Sequence, residues 1–202
     1  MWTTSRIYSN VPSSSFDFVS PSDVIGITTA FFGGEIDLDP ASSEHANSLV
    51  CANRFFTEEN NGLNQVWKAK NVYVYPPREF LTGREQPNSP LLFTRRRKFK
   101  KSKQRVWLEE TYKRYMRQEF EEAIVFLTST DVALRVTQKI GLDLPMCVMK
   151  EMPKLSIDQQ GLPDLKNSRC IGFLLYFPST RNYDTRMQEF IEFYSLLGRV
   201  YY

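Results

Sequence analysis

The residues whose types and spacing suggest chemistry are Tyr75, Pro76, Pro77 and Arg78, which follow the apolar run Val72–Val74. Each proline ring locks its own φ angle and keeps the preceding residue out of the helical region, so the sequence predicts a rigid, extended turn after a strand. Open α/β sheets bind ligands beyond the carboxyl ends of such strands. Arg78 has the chemistry to hold a phosphate or stack on a base. For an isolated Pro-Pro pair, a plain strand exit would be the simpler explanation.

Two segments upstream place this turn in a recognisable context. The first reads Asp37-Leu38-Asp39-Pro40-Ala41-Ser42-Ser43, and the second, from Arg54 to Trp67, contains Phe55-Phe56-Thr57-Glu58-Glu59 and Gly62-Leu63. In order and spacing, these segments and the turn resemble the "DLDPAS", "YFT-acidic-GL-W" and "NPPY" segments of the phage-type DNA N6-adenine methyltransferases. Ser20-Pro21 lies where that family carries Thr-Pro ahead of its first helix. The resemblance is dense from about Ser20 to Phe80.

The resemblance implies a class I, Rossmann-like methyltransferase fold and S-adenosylmethionine as the cofactor. A strand from Gly34 to Leu38 would open onto Asp39, Pro40, Ala41 and Ser42 beside the methionine moiety, with Asp39 holding a polar group of the cofactor. Glu58 would lie near the cofactor and the catalytic turn. Pro40 at a first helical position, with Ser42 or Ser43 as the capping residue, is equally explained as ordinary helix-start chemistry.

The catalytic turn departs from the family at the two positions that carry its chemistry. In the family, an Asn or Asp opens the loop and accepts a hydrogen bond from the target amino group, and an aromatic residue closes it and stacks on the flipped base. Tyr75 offers a hydroxyl at longer reach, and Arg78 offers only donors. We therefore expect a methyltransferase-like protein that has lost catalysis and serves as a binding or structural subunit. An active S-adenosylmethionine-dependent DNA adenine methyltransferase is the alternative.

Length and composition indicate a single domain over residues 1–202, with an N-terminal extension of about residues 1–19. The 202 residues are 42% hydrophobic and 14% aromatic, which suffices for one sizeable core. No apolar run approaches membrane-spanning length, so we expect no membrane insertion. Three scattered cysteines, Cys51, Cys147 and Cys170, favour neither a disulfide framework nor a metal site. They indicate a reducing intracellular compartment, an organelle matrix included.

Positive charge is concentrated in a basic insertion of about residues 92–105, although the net charge of the chain is only +3. Such a block repels itself unless an anion neutralises it, and nucleic-acid phosphate, in DNA or RNA, is the natural partner. From charge alone, a solvated loop or an organelle-directed basic patch is nearly as good an explanation, and a protein-only role in an organellar complex, with contacts to other subunits, stays open. The candidate nucleic-acid-binding residues are Arg95, Arg96, Arg97, Lys98, Lys100, Lys101, Lys103 and Arg105.

The rest of the chain alternates helical and strand patterns, which predicts an α/β, doubly wound, mostly parallel sheet with an antiparallel strand near the C-terminus. The continuous apolar run Ala123–Leu127 predicts a strand buried on both faces. Trp67 is predicted to be a core residue. The other predicted elements are a helix from Val106 to about Phe120, a helix capped by Thr128–Asp131 and ending near Ile140, strands at Met146–Met149 and Arg169–Phe177, a helix over Glu189–Leu197 stopped by Gly198, and a strand at Arg199–Tyr202.

Overall fold

A seven-stranded mixed sheet runs through the protein, in a computed structural model that describes residues 18–77, 102–139, 141, 143–153, 156–157 and 170–202. Its strands lie in the spatial order β3-β2-β4-β5-β8-β6-β9. A separate antiparallel pair is formed by β1 and β7. The strands are β1 Phe18–Val19, β2 Leu38–Asp39, β3 Arg54–Phe55, β4 Ala69–Val74, β5 Phe120–Leu127, β6 Met146–Met149, β7 Ser156–Ile157, β8 Phe173–Phe177 and β9 Gly198–Tyr201.

Strand direction divides the sheet into two halves. Strands β3, β2, β4 and β5 are parallel to one another, whereas β8 is antiparallel to both β5 and β6, and β9 is antiparallel to β6. The predicted α/β class and the antiparallel strand near the C-terminus are confirmed. The sheet is more evenly mixed than "mostly parallel", because β9 adds another antiparallel ladder at the far edge.

Helices cover both faces of the sheet. They are α1 Ser22–Phe31, α2 Glu44–Val50, α3 Lys103–Met116, α4 Thr137–Lys139 with a preceding π-helical segment Asp131–Val136, and α5 Tyr183–Tyr194. One core cluster lies between the sheet and α1, α2 and α5, and includes Phe31, Tyr73, Phe126 and Phe190. The other lies under α3 and the π-helical segment and includes Trp67, confirming it as a core residue. Within the described ranges, no helix is long and apolar enough to cross a membrane.

The predictions for β2 and for the helix after β5 need correction. The strand expected from Gly34 to Leu38 covers only Leu38–Asp39. Before Leu38, the chain is hydrogen-bonded by the buried Asn71 side chain in place of backbone pairing with β4. The Asn71 Oδ1 accepts from the Asp37 amide at 2.8 Å, and its Nδ2 donates to the Glu35 carbonyl at 3.3 Å. The helix predicted after Thr128–Asp131 is present, but its first turns are π-helical, a local irregularity that is frequent at functional sites.

Candidate functional site

Three of the central parallel strands end at the same edge of the sheet, here called the carboxyl edge. The register pairs Leu38 of β2 with Val72 of β4, and Val74 of β4 with Val125 of β5. Asp39, Tyr75 and the turn after Leu127 therefore lie along one edge. The structure thus brings together the predicted Asp39 segment and the predicted Tyr75 turn, which are 36 positions apart in the chain.

Asp39 is a buried acid, only 2% exposed. Its Oδ1 accepts from the Ala41 amide at 3.1 Å, and the Ser42 side chain also hydrogen-bonds to the carboxyl group. Burial outweighs these donors and raises the pKa of Asp39 from 3.8 to about 6. The Asp39 carboxyl group, although buried, therefore gains or loses its proton at about pH 6.

The turn after Asp39 leads into α2, but not in the predicted way. Helix α2 begins at Glu44, so Pro40 is not its first residue and lies in the preceding turn instead. Ser43 is the capping residue, since its Oγ accepts from the Ala46 amide at 3.0 Å. Ser42 instead fastens the turn to the next strand, because its amide donates to the Phe56 carbonyl at 3.0 Å. Ala41 and Ser42 are both half-buried.

Tyr73 joins the carboxyl edge to the start of α1. Its hydroxyl lies 2.6 Å from the Oγ of Ser20, and both side chains are buried. Burial raises the pKa of Tyr73 well above its ordinary value, and the nearby Asp39 and Tyr75 add to the rise, while the Ser20 hydrogen bond opposes it. The sequence indicated Ser20 only through the family resemblance. Its contact with Tyr73 gives Ser20 a structural role in this protein.

Glu58 lies on an exposed loop whose base is held against the Pro40 turn. Asn61 has a φ of 45°, in the left-handed region that asparagine tolerates in tight turns. Gly62 is required for a different reason, because a Cβ atom there would lie 1.9 Å from the Pro40 carbonyl oxygen. The Gly62 carbonyl in turn accepts from the Trp67 indole at 2.8 Å. The acidic loop and the Pro40 turn therefore approach each other through backbone, while the Glu58 carboxylate remains in solvent.

Arg114 of α3 holds the same loop from the opposite side. Its two Nη atoms donate to the carbonyls of Leu63 and Gln65, each at 2.7 Å, and its guanidinium lies 4.6 Å from the centre of the Trp67 ring. Glu110 and Glu119 supply its counter-charges. Sequence reasoning missed this residue. The available signal was its helical spacing, which places it on the buried stripe with Trp107, Leu108 and Thr111.

Tyr75 is packed into the core at the end of β4. It is 7% exposed, and its ring centroid lies 4.9 Å from that of Phe126 on the neighbouring strand. Pro76 is buried and Pro77 is half-buried, so the turn begins inside the protein and reaches solvent gradually. Arg78 lies outside the described residues. The position that carries the catalytic Asn or Asp in the resembled family is thus a packed aromatic residue in this chain.

The described end of the basic insertion begins α3, anchored to the carboxyl edge by Gln104, a buried residue that sequence reasoning also missed. Its Nε2 donates to the Thr128 Oγ1 at 2.9 Å, and its Oε1 accepts from the Thr128 and Ser129 amides at 3.2 and 3.0 Å. Lys103 lies in the first turn of α3, and Arg105 forms an ion pair with Glu109 at 2.8 Å. Arg95, Arg96, Arg97, Lys98, Lys100 and Lys101 lie outside the described residues.

Comparison with protein-family models, curated proteins and solved structures finds no match to this chain. Within the described part of the chain, no three His, Cys, Asp or Glu side chains come together as a metal site would require. The site is therefore interpreted from its own residues. They are the buried acid Asp39, the buried Tyr73 and Tyr75, the turn at Pro76 and Pro77, and the end of the basic insertion that Gln104 anchors.

Proposed function

We propose that this chain is a methyltransferase-like protein without methyl-transfer activity, which binds nucleic acid at the carboxyl edge of its sheet as a subunit of a larger assembly. The proposal assigns the Rossmann-like, class I methyltransferase type to the α/β sheet. It is supported by the antiparallel strand β8 between β5 and β6, an arrangement like the hairpin that closes methyltransferase sheets. It is also supported by the order of the motifs quoted above.

The observation that carries the loss of catalysis is the burial of Tyr75. Methyl transfer to an amine requires the acceptor lone pair to be aligned with the methyl group and a nearby group to receive the proton. The ring of Tyr75 is packed on Phe126 at the position where the resembled family presents a carbonyl. Turning it outward would empty core space beside Phe126, and removal of a large side chain from a core costs several kcal/mol.

The residues around Asp39 do not fit S-adenosylmethionine bound through that acid. The side chain is 2% exposed and already accepts from the Ala41 amide and the Ser42 side chain. A cofactor that used Asp39 would have to break these contacts. We therefore place no step of the proposed function on a bound cofactor.

Nucleic-acid binding is supported by charge and by where the flanking residues lie. Pro77 follows β4 and Ser102 begins α3, and both lie at the carboxyl edge, where Gln104 fastens α3 to Thr128 and Ser129. The chain between Pro77 and Ser102 thus starts and ends at one edge. Eight Lys and Arg residues and no acid occur from Arg95 to Arg105. Phosphate neutralisation by such residues releases counterions and makes affinity strongly salt-dependent.

The test combines a binding assay with a methyl-transfer assay on purified full-length protein. Fluorescence anisotropy with single-stranded DNA, duplex DNA and RNA is measured from 50 to 200 mM salt, and transfer of radiolabelled methyl from S-adenosylmethionine is measured on the same nucleic acids. We expect salt-dependent binding and no transfer. Turnover on any of them would establish the active-enzyme alternative, and absence of binding to all three would refute the nucleic-acid role.

A matched pair of triple variants locates the binding surface. Lys98, Lys100 and Lys101 are changed to Gln in one protein, and the exposed Lys68, Lys70 and Lys139 in the other, so that both lose the same charge. Lys68 and Lys70 lie at the start of β4, at the opposite edge of the sheet. The first variant should lower the slope of log affinity against log salt by about 3 for duplex DNA. Equal losses in both variants would refute the assignment of binding to the basic insertion.

A further inference from the structure

A cavity of about 360 Å³ lies at the amino edge of the sheet, opposite the carboxyl edge. The ladder of β6 and β9 pairs Met146 with Tyr201, which brings Pro145 and Tyr202 together just beyond it. Helix α5 covers the gap with one stripe, since Tyr183, Met187 and Ile191 follow each other at four-residue intervals. The cavity is an open cleft in which Tyr183 and Tyr202, 48% and 82% exposed, lie beside apolar residues, and its volume is within the range of small-molecule sites.

The charge at this cavity is negative. Asp143 and Asp184 line it, both exposed, and no Lys or Arg is among the described residues that form its walls. The amino end of α5 contributes a partial positive charge equivalent to about half an elementary charge, which two carboxylates outweigh. Arg186 does not reverse this balance. Its guanidinium lies over the Phe31 ring at 4.0 Å and pairs with Glu122 at 3.0 Å.

We propose that this cavity binds an organic cation of the quaternary ammonium type, either a small molecule such as choline or a trimethylated lysine side chain of a protein. The faces of tyrosine rings attract cations, and recognition of quaternary ammonium groups by aromatic side chains is a known use of that attraction. Pro145, Met187 and Ile191 offer apolar contacts for the methyl groups, while Asp143 and Asp184 supply the counter-charge. A protonated primary amine would fit less well, since its compact, strongly hydrated charge costs more to take out of water against the apolar residues of the wall.

The test uses the full chain with its methionine methyl groups labelled with carbon-13. Met187 lines the cavity, whereas Met152 is 62% exposed beyond the other end of β6 and serves as an internal control. Titration with choline should shift the Met187 methyl resonance and leave that of Met152 unchanged. The neutral isostere of choline, with carbon in place of nitrogen, should bind about two- to fivefold more weakly. Equal binding of the two, or no shift at Met187, would overturn the proposal.

Variants separate the charge of the cavity from the charge of the whole protein. Asp143→Asn should weaken choline binding about two- to fivefold, and Glu151→Gln, an exposed acid at the opposite end of β6, should leave it unchanged. Asp143 lies outside the helices, so its substitution does not disturb α5. Removal of a cavity wall by Tyr202→Ala should also weaken binding. If Glu151→Gln weakens binding as much as Asp143→Asn, the cavity is not the site.

Parallel titrations identify the source of the cation. A peptide containing trimethyllysine that binds at least tenfold more tightly than choline would assign a protein partner, because the flanking peptide would add contacts outside the cavity. Similar affinities would assign a small quaternary amine. In either case unmethylated lysine in the same peptide should bind more weakly, and a preference for the unmethylated peptide would overturn the quaternary-ammonium assignment.

Discussion

The buried carboxyl group of Asp39 should make the stability of this protein depend on pH in an unusual direction. Its pKa rises from 3.8 to about 6 on folding, because burial disfavours the charged form. Between about pH 4 and pH 6 the folded protein therefore holds a proton that the unfolded chain has released. Stability falls as pH rises through this window, since the folded state binds more protons there. The contribution is fully lost above about pH 7.

The size of the loss follows from the shift in pKa. At about 1.4 kcal/mol for each pKa unit, a change from 3.8 to about 6 corresponds to about 3 kcal/mol. Asp39→Asn removes this titration while keeping an oxygen that can accept from the Ala41 amide. Relative to the native protein, the variant should therefore gain about 3 kcal/mol between pH 4 and pH 8. Because both proteins share every other titrating group, the difference between them isolates Asp39.

Urea denaturation at intervals from pH 4 to pH 8 measures this difference, and the carbon-13 shift of the Asp39 carboxyl carbon reports its titration directly. Asp143→Asn, at an exposed position, controls for removal of one acidic charge. A difference between Asp39→Asn and the native protein that stays constant across the pH range would refute the reasoning. So would a native protein that gains stability relative to the variant as pH rises, since that would mean folding lowers the pKa.

Two further predictions concern the loop that carries Glu58, and urea denaturation tests both. Gly62→Ala should destabilise the protein by about 1–3 kcal/mol or more, because its Cβ would meet the Pro40 carbonyl. The control Gly26→Ala, in open space on α1, should stabilise the protein by about 0.5–1 kcal/mol. Equal effects of the two substitutions would contradict the close approach of Gly62 to Pro40. Arg114→Met should cost about 3–5 kcal/mol, because it leaves partly buried carbonyls and carboxylates without their donor. Arg117→Met, at an exposed position, should cost less than about 1 kcal/mol. A similar loss of stability in both variants would show that Arg114 does not hold the loop in the way described.

Much of the fold could be predicted from local pattern. The strand β5, the strand at Met146–Met149 and the helix followed by a terminal strand at the C-terminus are present, because continuous apolar runs and hydrophobic periodicity mark such elements locally. Helix α5 nevertheless starts at Tyr183, six residues before the predicted start, because its first turn has few apolar residues to mark it.

The parts that sequence reasoning could not supply depend on contacts between distant residues. Asn71 shortens β2 because its side chain bonds to the backbone of Asp37 and Glu35, more than thirty residues earlier. No local sequence pattern indicates that a side chain will replace the backbone pairing there. At the candidate site, the sequence indicated Asp39 and Tyr75 but not their burial, since exposure depends on tertiary packing such as that of Phe126 against Tyr75. Gln104 and Arg114 were hidden for a related reason. Each is a polar residue on the buried face of α3, and only tertiary structure provides its partners.

The position of β8 also has a consequence for synthesis on the ribosome. Strand β5 ends at Leu127, and the strand that pairs with its free edge begins only at Phe173. At about 5–20 residues per second, the ribosome needs roughly 2–9 s to make the chain between them. Strand β6 emerges earlier but pairs with β8 rather than with β5. For those seconds the nascent chain presents a strand with an open edge, in which Ala123–Leu127 are all apolar, and such an edge invites aggregation during translation.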